Sequence, residues 1–407
     1  MGGAMQSKLK GPFDGVRIID LSRTLAGAQA AGVLGDLGAE VIMVENKAKA
    51  EGGVSPRGLA GTIVNGIDGR YNFQSRNRMS VAIDMESPQG KEVFYDLVWV
   101  SDGLVENYRP GVTERKGLDY ATLSRINPRL VYCSISGFGQ TGPYRRRAGW
   151  DLIGQAASGL MSVVGEPGRP PAVVGFPIID TCTGMNAAQA LMAGLFHQQR
   201  TGEGQWVQTS LLETGLALSS YFPTMYFAGG EVPEPTGSSL PVLAVNGAFR
   251  TSDGFVMTGV INERQWVGLC RAIGQPELAD DPRYCTEEDR FENQPELLSL
   301  IREVFLTRTT DEWVEALNAE DVGAAPVNTL DKALADPQVA DLGMVVETEG
   351  VEGRQVKMIA APYHFSAFPV LDYQRAPHAG EHTHRVLTSV LNYSKSRVAE
   401  LERQRVV

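Results

Sequence analysis

Apolar and polar positions follow two different spacings along the first half of the chain. Short apolar runs, rich in valine and isoleucine, have the length of buried strands, and they occupy residues 16–21, 39–45, 80–85, 102–108 and 130–138. The predicted helices between them, whose apolar residues recur every three or four positions, are 26–37, 87–100 and 118–126. Strands that alternate with helices of this length favour βαβ crossovers, so we predict an open, mainly parallel, Rossmann-like α/β sheet.

The pattern changes after residue 213, where proline, glycine and serine become frequent and indicate a linker. Beyond it, strand-like runs flank the turn signal Asp253-Gly254, and helical patterns follow, which together predict a second, smaller α+β domain. We place the large α/β domain at 1–225, the linker at 226–245, the small domain at 246–350, and a return linker with a C-terminal helix at 351–407. Residues 365–407 are expected to complete the large domain.

A lone carboxylate, Asp180, stands between an apolar run and a helical pattern. Residues 175–184 are GFPIIDTCTG, and the pattern at 185–200 carries apolar residues on one helical face, among them Leu195 and Phe196. Asp180 is therefore predicted at a strand-to-helix corner. There it either caps the helix and answers its dipole, or it attacks an activated acyl carbon as a nucleophile.

Asp151 is predicted to open another helix, in the segment AGWDLIGQAASG, with Leu152, Ala156 and Leu160 facing a core. Asn107 and the turn at 136–138 also follow predicted strands. Open parallel sheets bind ligands beyond the carboxyl ends of their strands. Two acids on one such edge can share a cleft, where burial and like charge raise the pKa of a carboxyl group.

Charge and composition exclude several function classes. The 407 residues carry a net charge of −11, which argues against non-specific binding of nucleic acid. The four cysteines are widely spaced, so they predict neither disulfides nor a metal site, and no metal is expected. No apolar run has the length of a membrane helix, and the first residues lack the apolar core of a signal peptide, so we expect a cytoplasmic protein without membrane association.

The turn after the first strand does not fit a dinucleotide site, because glycines 27, 32, 35 and 38 depart from the spacing G-x-G-x-x-G. A ligand with several phosphates would still need two or three cations, since guanidinium groups pair with phosphate oxygens. Candidate cations in this acidic chain are Lys47, Arg76, Arg78, Arg109, Arg115 and residues 145–147.

Several long blocks of sequence together resemble the class III CoA-transferases, the family of formyl-CoA and carnitine CoA-transferases, to which α-methylacyl-CoA racemase is related. The blocks are DLSRTLAGAQAAGVLGDLGAEVIMVE, RNRMSVAIDMESPQGKE, VENYRPGVTERKGLDYATLSRINPRLVYCSISGFGQTGPYRRRAGWDLIGQAASG and GFPIIDTCTGMNAAQALMAGLFHQQRTGEGQWVQTSLLET. Later segments such as NGAFRTSDGFV and RAPHAGEHT fit the same family, so the resemblance covers nearly the whole chain.

The resemblance implies an open α/β domain, a small domain and an interlocked dimer of two threaded chains. It places the family's catalytic aspartate on Asp180, which would attack a donor thioester, possibly succinyl-CoA, and carry CoA as an aspartyl-CoA thioester to an acceptor acid. CoA and acyl-CoA are then substrates, with no tightly bound cofactor. Backbone N–H groups of Thr181 or Gly184 are expected to hold the oxyanion.

The resemblance also implies the remaining site residues. The second carboxylate falls on Asp151, and the CoA contacts fall on Thr24, Leu25, Asn107, Tyr108, Arg115 and Leu211. Asn46 stands where an arginine often binds the nucleotide phosphate, so Lys47 or Arg76 is expected to replace it. Leu25 replaces a glutamine of formyl-CoA transferase, and this change, with Trp150 and Phe176 nearby, favours an acid larger than formate or oxalate, such as a dicarboxylic, aromatic or branched acid.

Two other functions stay open at this point. A racemase of the same family carries a histidine where this chain has Trp150, and indole has no nitrogen basic enough to move the α-proton. The chain can also be the non-catalytic subunit of a hetero-oligomeric transferase. The sequence does not decide between a homodimer, which we expect, and a heteromer.

Overall fold

The computed structural model describes residues 11–47, 60–368 and 373–407, which divide into two compact units. The second unit comprises Met161–Val173 and Met225–Ala340, and the first holds the other described residues. These bounds differ from the predicted ones, because the second unit includes a short segment before residue 174 that sequence did not assign to it. The predicted linker at 226–245 also begins within a helix, Phe222–Gly229.

A six-stranded sheet with parallel pairing throughout forms the centre of the first unit. Its strands are β1 Arg17–Asp20, β2 Glu40–Asn46, β5 Arg78–Ile83, β6 Gly103–Glu106, β7 Val131–Ser136 and β8 Gln205–Ser210. They lie in the order β5-β2-β1-β6-β7-β8, which confirms the predicted parallel α/β sheet. Sequence missed β8, an edge strand whose exposed residues alternate with half-buried ones.

Smaller elements complete the first unit. Two antiparallel hairpins pair β3 Ile63–Val64 with β4 Ile67–Asp68 and β12 Val345–Glu349 with β13 Gln355–Ile359. The helices are α1 Leu25–Asp36, α2 Gly69–Ser75, α3 Pro88–Trp99, α4 Val112–Lys116, α5 Tyr120–Ile126, α6 Asp151–Ala157, α8 Ile178–Thr201, α9 Leu211–Leu218, α17 Thr383–Arg385 and α18 Lys395–Arg403. Short 3₁₀ and π segments lie at Ala60–Thr62 and Val386–Val390, and helices α7 Leu160–Val163, α10 Phe222–Gly229 and α16 Pro337–Asp341 span the points where the chain passes between units.

The sheet buries both faces, so neighbouring residues of one strand enter different cores. Ile18 packs with α1 and α8, whereas Ile19 packs with Phe94 of α3. Val398 and Leu401 of α18 belong to the same core as Ile19 and Phe94, so the C-terminal helix covers that face of the sheet. Burial on both faces explains why the five strands other than β8 are largely apolar at consecutive positions rather than alternating.

The second unit has its own sheet and core. Strands β9 Asn246–Arg250, β10 Phe255–Gly259 and β11 Ala324–Pro326 form an antiparallel sheet in the order β11-β10-β9. A 3₁₀ segment lies at Pro276–Ala279, and the helices are α11 Glu263–Ala272, α12 Glu287–Glu292, α13 Gln294–Phe305, α14 Thr310–Ala319 and α15 Leu330–Leu334. In the core, Phe249 stacks on Phe305, and Trp313 packs against Phe305 at a tilt.

Three local expectations were wrong. Helix α8 begins at Ile178, so Asp180 lies in its first turn and no strand precedes it. Leu152 of α6 is exposed, and the face of α6 that is buried carries Asp151, Gly154 and Gln155. Phe196 of α8 is also exposed.

Within the described residues, no helix is long and apolar enough to cross a membrane.

Candidate active site

A cavity of about 630 Å³ opens in the first unit, beyond the carboxyl ends of its parallel strands. Strands β1, β6, β7 and β8 all end there, and the residues that follow them contribute to its wall. It is lined by Thr24, Leu25, Ala26, Thr62, Arg70, Gln74, Asn107, Ile135, Ser136, Gly137, Gly149, Trp150, Asp151, Pro177, Asp180 and Leu211. The structure thus brings both predicted acids to one cavity.

The backbone of Asp180 is held by a hydrogen bond to a residue outside helix α8. Its N–H donates to Oδ2 of Asp151 over 3.0 Å. Helix N-termini leave backbone N–H groups without helical partners, and the N-cap residue Pro177 supplies no side-chain bond. Asp151 therefore does for α8 what a capping side chain does, although it lies on a different helix.

Asp151 is itself fixed by a buried amide. Oδ1 of Asp151 accepts from Nε2 of Gln155 at 2.6 Å, and Oε1 of Gln155 accepts from the N–H of Val174 at 3.0 Å. Gln155 is fully buried and Asp151 nearly so. The two oxygens of Asp151 thus have different partners, which sets the orientation of its carboxylate toward Asp180.

The environment of Asp180 raises its pKa from 3.8 to about 6. Burial is the main cause, because it disfavours the charged form, and the negative charge of Asp151 adds to it. The positive charge of Arg70 acts in the opposite direction. At neutral pH Asp180 is therefore a poorly solvated carboxylate, which is the state required of an oxygen nucleophile.

The predicted contacts Thr24 and Asn107 form another part of the cavity wall. Nδ2 of Asn107 donates to Oγ1 of Thr24, and Oδ1 of Asn107 accepts from the N–H of Arg23 at 2.8 Å. Nε of Arg23 donates to the hydroxyl of Tyr108 at 3.2 Å. These bonds join the turn after β1 to the turn after β6. Leu25 and Leu211 are buried and add apolar surface to the cavity wall.

Glu106, a buried acid that sequence did not single out, supports this wall. Its Oε2 accepts from the N–H of Tyr108 at 2.8 Å, and burial raises the pKa of Glu106 to about 7. A hydrogen bond from Ser134 partly offsets that rise. Glu106 thus ties the turn that carries Asn107 to the end of strand β6.

Gly137 and Gly149, two glycines of the cavity wall, pack closely against each other through their backbones. A Cβ on Gly137 would lie 2.9 Å from Cα of Gly149, and one on Gly149 would lie 2.8 Å from Cα of Gly137. Such contacts involve backbone on both sides, so neither position has room for a side chain without a shift of the chain. No sequence motif marked this crossing, because the two residues come from different loops.

The predicted phosphate ligands lie elsewhere. Arg76 is buried and paired with Asp36 at 2.6 Å, and its Nη1 donates to the carbonyl of Ile359. Its guanidinium is therefore occupied, which removes the physical basis for the expected phosphate contact. Nζ of Lys47 bonds the carbonyl of Val407, and Arg115 is exposed near the end of α4. None of the three lines the cavity.

The two expected oxyanion donors, Thr181 and Gly184, lie within helix α8. The N–H of Thr181 donates to the carbonyl of Pro177 at 3.0 Å, and Gly184 packs its Cα face against helix α1. A Cβ on Gly184 would lie 2.6 Å from the carbonyl oxygen of Ala26. The N–H of Thr181 is therefore already paired within the first turn of α8. Among the described residues, no group of three or more His, Cys, Asp or Glu is placed to hold a metal ion.

Comparison with known proteins assigns the family. The sequence pattern that defines CoA-transferase family III matches residues 13–383. The chain belongs to CoA-transferase family III. This membership confirms the resemblance drawn from the sequence, and it identifies the protein as an enzyme that uses CoA thioesters as substrates.

Relatives of this CoA-transferase are similar over nearly their whole length. The human succinyl-CoA:glutarate CoA-transferase is 34% identical over 96% of this chain and 88% of that protein. The succinate–glutarate CoA-transferase of Agrobacterium fabrum is 35% identical over 94% of this chain and 96% of that protein. A crystal structure of a CAIB/BAIF family protein from Brucella suis superimposes with a TM-score of 0.79 at 32% identity, covering 93% of this chain and 99% of that one.

Proposed function

We propose that this family III CoA-transferase moves CoA from an acyl-CoA donor, with succinyl-CoA as the candidate, to a carboxylic acid acceptor through an aspartyl-CoA thioester on Asp180. The observation that carries the proposal is the position of Asp180. It is a half-buried carboxylate with a raised pKa, held by Asp151 on the wall of a cavity at the carboxyl ends of the sheet. The names of the two relatives support a dicarboxylic donor.

The proposed reaction needs no water and no outside proton. The carboxylate of Asp180 attacks the thioester carbonyl, the C–S bond breaks, and a mixed anhydride and CoA thiolate result. The thiolate then attacks the aspartyl carbonyl, which releases the donor acid and leaves the aspartyl-CoA thioester. The acceptor carboxylate attacks that thioester, and the released thiolate attacks the acceptor carbonyl of the new anhydride, which frees Asp180.

Asp151 acts in this proposal through a contact described above. Asp151 is a positioning residue, because it holds the backbone of Asp180 and keeps the carboxyl group in a high-pKa state. The CoA contacts proposed from the resemblance are Thr24, Leu25, Lys47, Asn107, Tyr108, Arg115 and Leu211. Arg76 is left out of the proposed set because its guanidinium pairs with Asp36.

We also propose the interlocked homodimer that the family resemblance implies. Numerous large apolar side chains are exposed on the chain, among them Phe227 and Trp150, which supports burial against another chain. Light scattering coupled to gel filtration gives the mass in solution. A monomer would contradict this part of the proposal.

Mass spectrometry after incubation with a panel of acyl-CoA thioesters tests the mechanism. Hydroxylamine traps activated aspartyl groups, so we expect a hydroxamate on the peptide that contains Asp180, and no label in Asp180→Asn. The thioesters that produce the label identify the donor. Absence of label with every thioester, together with solvent exchange of the α-proton of an α-methylacyl-CoA, would instead support a racemase.

A further inference from the structure

Arg70 is the one cation among the described residues that line the active-site cavity. It lies in the first turn of α2 and is half-buried, and its charge lowers the pKa of Asp180, so the two groups interact across the cavity. The other charged residues of this wall, Asp151 and Asp180, are both acids. Without Arg70, a substrate that carries a second carboxylate would meet only repulsion there.

The helix that carries Arg70 is fixed by several bonds. Asp68 caps it, with Oδ1 accepting from the N–H of Tyr71 at 3.0 Å. Glu352 accepts from the N–H of Asp68 at 2.9 Å and from Nδ2 of Asn72 at 3.0 Å. Arg70 therefore stands on a braced turn, although α2 itself is short.

The guanidinium of Arg70 is oriented by a buried amide. Its Nε donates to Oε1 of Gln74 over 3.2 Å, and Gln74 also lines the cavity. Within the described part of the chain, no carboxylate forms an ion pair with Arg70, in contrast to Arg76 and Arg78. A planar guanidinium held at one edge matches a carboxylate through two parallel hydrogen bonds.

We propose that Arg70 binds the distal carboxylate of a dicarboxylic substrate while the reacting carboxyl or thioester carbon of that substrate lies at Asp180. The inference rests on the proposed function, because it takes Asp180 as the point of reaction. Arg70 thereby selects dicarboxylic over monocarboxylic acids of the same length. It acts on the acyl group and the acceptor, and not on the nucleotide of CoA.

Matched substrates test this assignment. Succinyl-CoA and butyryl-CoA have the same chain length, as do glutarate and pentanoate, and each pair differs by one carboxylate. We compare kcat/KM for both pairs in the wild type, Arg70→Gln and Arg70→Lys. Arg125→Gln, which changes an exposed arginine in the last turn of α5, is the matched control.

We expect Arg70→Gln to lower kcat/KM for the dicarboxylic substrates roughly 10- to 100-fold, the loss expected when a charge-assisted hydrogen bond is removed. The monocarboxylic substrates should change less than threefold. Arg70→Lys should fall between, because it keeps the charge and loses the paired geometry. Arg125→Gln should match the wild type with every substrate.

Two results would overturn the inference. An equal loss for succinyl-CoA and butyryl-CoA would place Arg70 on the CoA moiety, and wild-type kcat/KM values for every substrate in Arg70→Gln would remove its role in selection. A binding measurement keeps the question separate from the mechanism. In calorimetry, the Asp180→Asn variant saturated with CoA should bind glutarate more tightly than pentanoate. Adding Arg70→Gln to that variant should abolish the difference in affinity. This result does not depend on whether Asp180 is labelled by acyl-CoA.

Discussion

Replacing Asp151 with asparagine separates the charge of this side chain from its size. Asp151 is the second cause, after burial, of the rise in the Asp180 pKa from 3.8 to about 6. Loss of its charge should therefore lower the pKa of Asp180 part of the way, and burial should keep it above 3.8. A neighbouring charge moves a pKa by about one unit or more, so the ionised fraction of Asp180 at pH 5 should rise about fivefold from about one tenth.

The same change costs a hydrogen bond. An asparagine oxygen can still accept from the N–H of Asp180, but its amide nitrogen then faces the donor Nε2 of Gln155. Rotation of the Gln155 amide would relieve this contact and lose the bond from Val174. We expect the lost bond to lower the free energy of unfolding by about 1 kcal/mol where Asp180 is protonated, and the relief of its repulsion with Asp151 to offset this loss where Asp180 is ionised. The rate at high pH should fall because Asp180 is held less firmly.

A single-turnover experiment separates the two effects. Enzyme in excess over the best acyl-CoA donor reacts at pH values from 5 to 8. The reaction is stopped with acid at successive times, and aspartyl-CoA is measured by mass spectrometry. The wild-type rate should rise with pH to a midpoint near 6, because only the ionised Asp180 attacks. The midpoint of Asp151→Asn should lie lower, whatever the plateau. A midpoint that stays in place or moves upward would refute the electrostatic role given to Asp151.

Three further substitutions have outcomes that the structure fixes. Asp180→Asn should unfold at a higher temperature than the wild type at pH 7.5, by the equivalent of about 1–3 kcal/mol. Burial disfavours the ionised form of Asp180, which the wild type must carry above the usual aspartate pKa of 3.8. The gain in stability should vanish below about pH 4. Gly184→Ala should destabilise by about 1–3 kcal/mol in urea, because its Cβ would lie 2.6 Å from the carbonyl oxygen of Ala26. Gly137→Ala should lower kcat about tenfold or more in steady-state assays, because its Cβ would force Gly149 to move.

A glycine with open space provides the control for the last two changes. A Cβ on Gly323 meets no atom within 4 Å, so Gly323→Ala should leave stability and activity near wild-type values. Unchanged urea midpoints for Gly184→Ala would contradict the close packing of α8 on α1. For Asp180→Asn, equal stabilisation at pH 4 and pH 7.5 would show that charge is not the cause.

Sequence predicted much of the sheet because local periodicity carries that information. Strands β1, β2, β5, β6 and β7 are largely apolar at consecutive positions, and burial on both faces favours that pattern. Strand β8 was missed because it lies at the edge and exposes Trp206 and Gln208. The helix around Asp151 was found, but its buried face was misjudged, since apolar periodicity cannot show that a buried face is polar.

Residue types and the family resemblance point to Asp180, Asp151, Thr24 and Asn107 from the sequence alone. Their partners were out of reach of that reasoning. The bond between Asp151 and the N–H of Asp180 joins residues 29 positions apart, and the pKa of Asp180 depends on the burial that this packing creates.

The arginines also show the difference between what the sequence indicates and what only the tertiary structure decides. The sequence singled out Arg76, which follows the end of α2, and did not single out Arg70 in the first turn of that helix. Only the tertiary structure placed Arg70 on the cavity wall and paired Arg76 with Asp36. Spacing along a chain fixes which faces of an element are apolar, whereas the partner of a charged side chain is fixed by elements distant in sequence that meet only when the chain folds.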